Sequence, residues 1–304
     1  MADMRVNLCG VELKNPVITA SGTFGYGHEF QDFYPVGRLG GISCKGTTLL
    51  ERPGNPSPRI AETPSGMLNS VGLQNPGVET FVRELLPWMR EQDVTVIANI
   101  AGSSVDDYVA MAERLDNEDV QLIEMNISCP NVKEGGVSFG TSAESVENIT
   151  KAVKNRLKNK PLIVKLTPNV TSIGDMAAAA EAGGADAVSL INTLTGMRIN
   201  IRTRRPVLRN NTGGMSGPAV FPVAVRMVRD VHKRVRIPVV GLGGISTWED
   251  AAEMMIAGAT AIQIGTANFR DPYAAIKVIE GLEKFADELG LSSITELTGT
   301  LEEW

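Results

Sequence analysis

The chain has 304 residues, of which 43% are hydrophobic and 31 are glycine, with a formal net charge of −6, enough to bury the core of one large α/β domain or two ordinary ones. Its longest basic cluster is Arg202-Thr203-Arg204-Arg205, which leaves no electrostatic footprint for nucleic acid and makes a small molecule the default substrate. No apolar stretch has membrane-spanning length and the N-terminus lacks a signal-peptide pattern, so a cytoplasmic protein with no membrane attachment is expected.

The opening segment, Val6 to Leu13, has two short apolar runs about Gly10 and predicts a hairpin that covers one end of the domain. A β-prone run, Pro16 to Ala20, follows and ends in Ser21-Gly22, after which Glu29, Phe30, Phe33 and Tyr34 fall at helical spacing. The strand-like unit then recurs at Leu39 to Cys44, Thr95 to Asn99, Val120 to Asn126, Pro161 to Leu166, Asp186 to Ile191, Ile237 to Gly241 and Ala261 to Gly265. Helical periods lie between them, at Val78 to Arg90, Ser104 to Leu115, Ser142 to Leu157, Ile173 to Ala182, Ala219 to Val231, Thr247 to Ala257 and Tyr273 to Leu289. Eight alternating units without a hinge or composition break predict an α/β fold, a single (β/α)8 TIM barrel over residues 1–304. A doubly wound open sheet is the alternative. Against it, Gly22 to Gly27 runs the wrong way for a dinucleotide fingerprint, and Gly241-Leu242-Gly243-Gly244 lacks the third glycine.

Two loops, Gly46 to Gly77 and Asn192 to Gly217, are too long to be connectors and are expected to roof the carboxyl end of the barrel, where substrate binds. At that end the strands present Ser21, Lys45, Asn99, Asn126, Lys165, Asn192, Gly243 and Gly265, almost none of them apolar. One buried lysine is ordinarily a paired structural charge, and Glu124 is a candidate partner within the barrel. Two lysines converging from different strands suit a planar cofactor that gains negative charge on reduction, together with a carboxylate-bearing substrate. The small residues after the last two strands, Gly243-Gly244 and Gly265-Thr266, can close backbone N–H groups and a helix N-terminus around a phosphate. A phosphate site, two lysines and no dinucleotide fingerprint suggest FMN.

The stretch Asn126-Ile127-Ser128-Cys129-Pro130-Asn131 places a thiol at the mouth of a strand between two amides and before the glycine-rich segment Lys133 to Gly140. That suits recognition of an uncharged polar ring beside a proton-abstracting group. A buried cysteine in a turn is the plainer explanation for the thiol taken alone. Cys9 and Cys44 are assigned to packing, and His232 to a surface or cap position. Three widely spaced cysteines and two isolated histidines, His28 and His232, fit neither a disulfide framework nor a zinc or iron–sulfur site, so no metal is expected.

Taken together, Asn15-Pro16, Ala20 to Gly25, Lys45-Gly46-Thr47-Thr48, Arg52 to Pro56, Asn69 to Gly77, Asn126 to Asn131 and Gly243-Gly244-Ile245 resemble, nearly end to end, the catalytic subunit of class 1B dihydroorotate dehydrogenases. The resemblance implies FMN across the carboxyl ends of the strands, held by Ser21, Lys45, Gly46, Asn99, Asn126, Lys165, Ile191, Gly217, Gly243, Gly244, Gly265 and Thr266. It implies dihydroorotate on one flavin face, bound by Lys45, Asn69, Ser70, Val71, Gly72, Leu73, Asn126, Asn131, Asn192 and Thr193. Cys129 would remove the proton from C5 of the substrate while a hydride leaves C6 for flavin N5, giving orotate and reduced FMN; Lys45 would pair with the substrate carboxylate and Lys165 would stabilise charge on the reduced flavin. Electrons would pass to NAD through a second subunit carrying FAD and a 2Fe-2S cluster, in a heterotetramer of two catalytic and two electron-transfer chains. A homodimeric fumarate-linked class 1A enzyme, a redox-neutral isomerase or lyase on a phosphorylated substrate, a non-catalytic flavin carrier and a flavoenzyme for a related reduced pyrimidine stay open as alternatives.

Overall fold

The computed structural model describes residues 2–128, 133–134 and 137–304. Cys129, Pro130 and Asn131, at the centre of the thiol-bearing stretch, lie outside the described residues.

Eight strands close a barrel in chain order: β1 (Val17–Thr19), β2 (Gly41–Ser43), β3 (Val96–Ile100), β4 (Leu122–Asn126), β5 (Leu162–Lys165), β6 (Ala187–Leu190), β7 (Val239–Leu242) and β8 (Ala261–Ile264). Every pairing is parallel, and the return of β8 to β1, with Ile262 opposite Val17, excludes the open doubly wound sheet. Each strand overlaps its predicted run. These runs are almost continuously apolar because helices cover one face and barrel side chains fill the other, so neither face meets water.

The helices between strands are stopped and started by local chemistry. Ser104, Ser142, Ser172 and Thr247 each accept a hydrogen bond from the backbone N–H three residues on, opening helices Val105–Leu115, Ala143–Lys154, Ile173–Ala182 and Trp248–Ala257. Asp107 and Asp250 return the bond to the cap backbone, completing capping boxes. The helix expected at Val78 to Arg90 departs from regularity. It begins as Val78–Thr80, widens into a π turn at Phe81–Leu85 and resumes at Leu86–Glu91. Pro87 has no N–H to give the carbonyl four residues before it, which accounts for the widened turn.

At the amino end, Val6–Leu8 pairs with Val11–Leu13 as the expected hairpin. Leu8 and Leu13 are fully buried and the Cys9 thiol lies 3.2 Å from the Asp186 carbonyl oxygen, just before β6, so the hairpin seals the floor of the barrel. The Cys44 sulfur sits 3.8 Å from Met89 Sδ on the outer face of β2. Burial pushes both thiols up, Cys9 to about 12, and both are packing residues. His232 falls where a cap position was expected, at a helix end. It ends the helix Phe221–His232 half-buried, and a Cβ at Gly258 or Gly299 would fall 2.2 or 2.5 Å from its ring.

The two long loops are not irregular. Ile60–Thr63 and Gly66–Asn69 from the first, and Leu194–Gly196 and Gly213–Ser216 from the second, form one four-stranded antiparallel sheet above the barrel. Gly66–Asn69 pairs directly with Gly213–Ser216, which locks the two loops together. Among the described residues, no helix is long and apolar enough to cross a membrane.

Candidate active site

Between the barrel's carboxyl end and this roof lies a cavity of about 510 Å³, within the size range of small-molecule and cofactor sites. All eight residues expected at the strand ends line it: Ser21, Lys45, Asn99, Asn126, Lys165, Asn192, Gly243 and Gly265. Gly46, Asn69, Ser70, Val71, Gly72, Leu73, Ile191, Thr193, Gly244 and Thr266 line it as well. Gly217 does not. It lies behind the wall, where a Cβ would be 2.6 Å from the Gly66 Cα, and it lets the second loop pass close under the roof hairpin. Cys129 and Asn131 are outside the described residues; Ser128, next in the chain to Cys129, lines the cavity and donates to the Lys165 carbonyl at 3.1 Å.

The barrel interior directly below the cavity is polar. Glu124, on β4 and fully buried, accepts hydrogen bonds from Ser43 Oγ at 2.7 Å, Asn99 Nδ2 at 2.6 Å, Ser189 Oγ at 2.8 Å and Gln263 Nε2 at 2.8 Å. Lys165 Nζ stands 3.6 Å from its Oε2, and 3.3 Å from both Ser21 Oγ and Gln263 Oε1. Glu124 is therefore the partner expected for a buried lysine. Burial pushes its carboxyl up, but the Lys165 charge and the donors on Ser43, Ser189 and Gln263 outweigh that, and the net shift is downward.

Lys45 differs. It follows β2, its backbone N–H is held by the Gly25 carbonyl, and its Nζ has no ion-pair or hydrogen-bond partner among the described residues. Burial and the charge of Arg59 hold its pKa below the ordinary 10.5. Asn99 Oδ1 is likewise buried without a partner among the described residues. A cation and an acceptor left open in one cavity wall are what an anionic, N–H-bearing ligand requires.

On the roof side, Asn75 accepts from Thr48 N and Gly77 N and donates to Leu73 O at 2.7 Å, while Asn55 Nδ2 donates to Ser70 O at 2.8 Å. These bonds hold Asn69 to Leu73 as a fixed edge of the cavity. Asn192 Nδ2 donates to Asn126 Oδ1 at 3.1 Å, so two of the amides named from sequence already act as a pair. At the far side, Gly243 and Gly244 have φ of +125° and +83°, and a Cβ on Gly244 would lie 2.7 Å from Phe221 Cβ. Only glycine leaves that backbone free to turn its N–H groups towards a ligand. The helix after β8 is the four-residue Ala267–Arg270, so a turn of N–H groups, more than a helix dipole, faces the cavity there.

Sequence reasoning missed Ser43, Ser189 and Gln263, and also Met215 and Ser216 from the roof. Each is an unremarkable strand residue, and the turn signal Pro64-Ser65-Gly66 between two four-residue runs was the one local cue to the roof hairpin.

A family model described as dihydroorotate dehydrogenase matches residues 3–286. The chain is 56% identical over 303 residues, 99% of its length and all of the relative's, to a Bacteroides fragilis protein named dihydroorotate dehydrogenase B (NAD(+)), catalytic subunit. Proteins of the same name from Phocaeicola vulgatus and Alkaliphilus oremlandii are 57% and 54% identical, over 99% and 98% of this chain and 100% and 99% of theirs.

Proposed function

The chain belongs to the dihydroorotate dehydrogenase family, and from that premise we propose that it is the FMN-bearing catalytic subunit of an NAD-linked enzyme oxidising dihydroorotate to orotate in pyrimidine biosynthesis. The observation that carries this reading is the open Lys45 ammonium and the open Asn99 acceptor in one polar-walled cavity beneath a fixed roof.

Bound FMN would supply the two-electron acceptor that no side chain here can provide. Gly243, Gly244, Gly265 and Thr266 suit its phosphate through backbone N–H groups, and Ser21, Gly46, Asn99, Asn126, Lys165 and Ile191 suit its ring and ribityl chain, with Gly217 acting through loop position. Lys165 keeps positive charge at the wall where the ring gains electron density. Lys45 pairs with the substrate carboxylate, a charge-assisted contact that it makes with nothing else among the described residues. Asn69, Asn126, Asn131 and Asn192 bond the substrate ring's amide groups, with Ser70 to Leu73 and Thr193 closing around it. Cys129 accepts the C5 proton as thiolate, its role resting on the resemblance and on the place of Ser128 in the wall.

The relatives' name, catalytic subunit, speaks of a partner, and we infer one that carries FAD and a 2Fe-2S cluster, in a heterotetramer of two chains of each kind. The test is direct. Protein as purified is expected to be yellow and to bleach anaerobically on addition of dihydroorotate. Colourless protein favours an isomerase, and yellow protein that dihydroorotate does not bleach favours a carrier. NAD reduction only in the presence of the partner separates this enzyme from a fumarate-linked one.

A further inference from the structure

Directly beneath the cavity, a level that Val, Ile and Leu usually fill in such barrels is occupied by Ser43, Glu124, Ser189 and Gln263, all buried. A buried ion pair is seldom more stabilising than well-packed apolar residues in its place. Stability is thus a poor reason for Glu124, whereas orientation is a good one. An ionised carboxylate only accepts hydrogen bonds. Two of the four donors that meet it are carboxamides, Asn99 at 2.6 Å and Gln263 at 2.8 Å, and each must turn its NH2 inward. Their oxygens therefore point the other way. Gln263 Oε1 accepts from Lys165 Nζ at 3.3 Å, and Asn99 Oδ1 is left open at the cavity wall.

We propose that Glu124 is the positioning residue of the cofactor face: its carboxylate dictates which way the Asn99 and Gln263 amides point and fixes the Lys165 ammonium at the wall. Glu124 does not line the cavity, so it acts only through these three side chains. The proposal rests on the flavin function above.

Glu124→Gln in the FMN-loaded protein is the test. A carboxamide must donate as well as accept, so one facing amide has to turn over, and Lys165, with a side chain 4% exposed, loses its carboxylate. Without that carboxylate the ammonium is no longer held at the wall, and its contact with the electron-rich form of the ring weakens. Binding of reduced relative to oxidised FMN is expected to weaken about tenfold, a potential about 30 mV more negative for a two-electron couple. Lys165→Met should shift it in the same direction, and the double variant should go no further than the larger single change, because the two act as one unit. Ser43→Ala removes a donor but keeps the charge, and should lower thermal stability without moving the potential. An unshifted potential in Glu124→Gln, additive shifts in the double variant, or a Ser43→Ala shift as large as that of Glu124→Gln each overturns the proposal. Should Glu124→Gln not fold, Glu124→Asp draws the charge back by one carbon, with a smaller shift of the same sign expected and none overturning the idea. Wild-type protein that is yellow and bleached by dihydroorotate, beside an unshifted variant, fails this proposal alone. Wild-type protein that takes up no FMN removes the flavin function and this proposal with it.

Discussion

Lys165 and Lys45 enter one cavity from β5 and from the end of β2, but only the first arrives with a counter-charge. Lys165 is tied to Glu124 and two further oxygens within the barrel, whereas Lys45 has neither carboxylate nor acceptor among the described residues. The contrast separates two uses of a buried cation. A paired ammonium belongs to the scaffold and keeps its place whether or not ligand is bound; an open one costs the empty protein desolvation that only an incoming anion can offset.

That contrast breaks most clearly in stability. Lys165→Met leaves Glu124 buried and uncompensated, and urea unfolding of the ligand-free protein should show a loss of about 3–5 kcal/mol. Lys45→Met strands no partner, so the same measurement should show little loss or a small gain. Catalysis should invert the order for substrate binding: Lys45→Met is expected to raise the KM for dihydroorotate roughly 30-fold, about 2 kcal/mol of a charge-assisted contact. Comparable destabilisation by the two substitutions would dissolve the distinction.

A smaller effect sharpens it through pH. The folded pKa of Lys45 lies below 10.5, so between that lowered value and 10.5 the unfolded chain holds a proton that the folded chain has lost. Stability of the ligand-free protein therefore rises with pH across this window. Carboxylate binding does the reverse, and KM should climb as pH passes upward through the lowered value, a rise absent in Lys45→Met. A further expected change comes from the roof. At Gly214 a Cβ would fall 2.0 Å from Thr193 Oγ1, and Gly214→Ala should cost about 1–3 kcal/mol of stability by urea unfolding, with the Lys165 face untouched and the FMN potential unchanged.

Much of this was legible before any coordinates. Short apolar runs ending in Ser21, Lys45, Asn126 or Lys165 announce barrel strands, because period-two alternation fixes which side chains look inward and the run's end fixes which meet the cavity. Glu124 as partner of a lysine was legible for the same reason. The rest of its layer was not: Ser43, Ser189 and Gln263 look like ordinary strand residues, and only the register between strands, with Leu242 opposite Gln263 and Lys165 opposite Ser189, gathers them round one carboxylate. The place of the roof was legible but its strands were not, for a related reason: Gly213 to Ser216 has no strand propensity of its own and is held by pairing with a distant hairpin. The π turn at Phe81–Leu85 follows from Pro87, a signal present in the sequence but lying inside the run read as one helix, Val78 to Arg90.

The roof also imposes an order in time. Asn69 meets Gly214, 145 positions further along the chain, and at ribosomal rates of about 5–20 residues per second the first hairpin waits roughly 7–30 s for its companion strand. During synthesis the half-made barrel therefore carries Gly66–Asn69 as a hairpin edge with no neighbour, open to stray strand pairing until Gly213–Ser216 emerges.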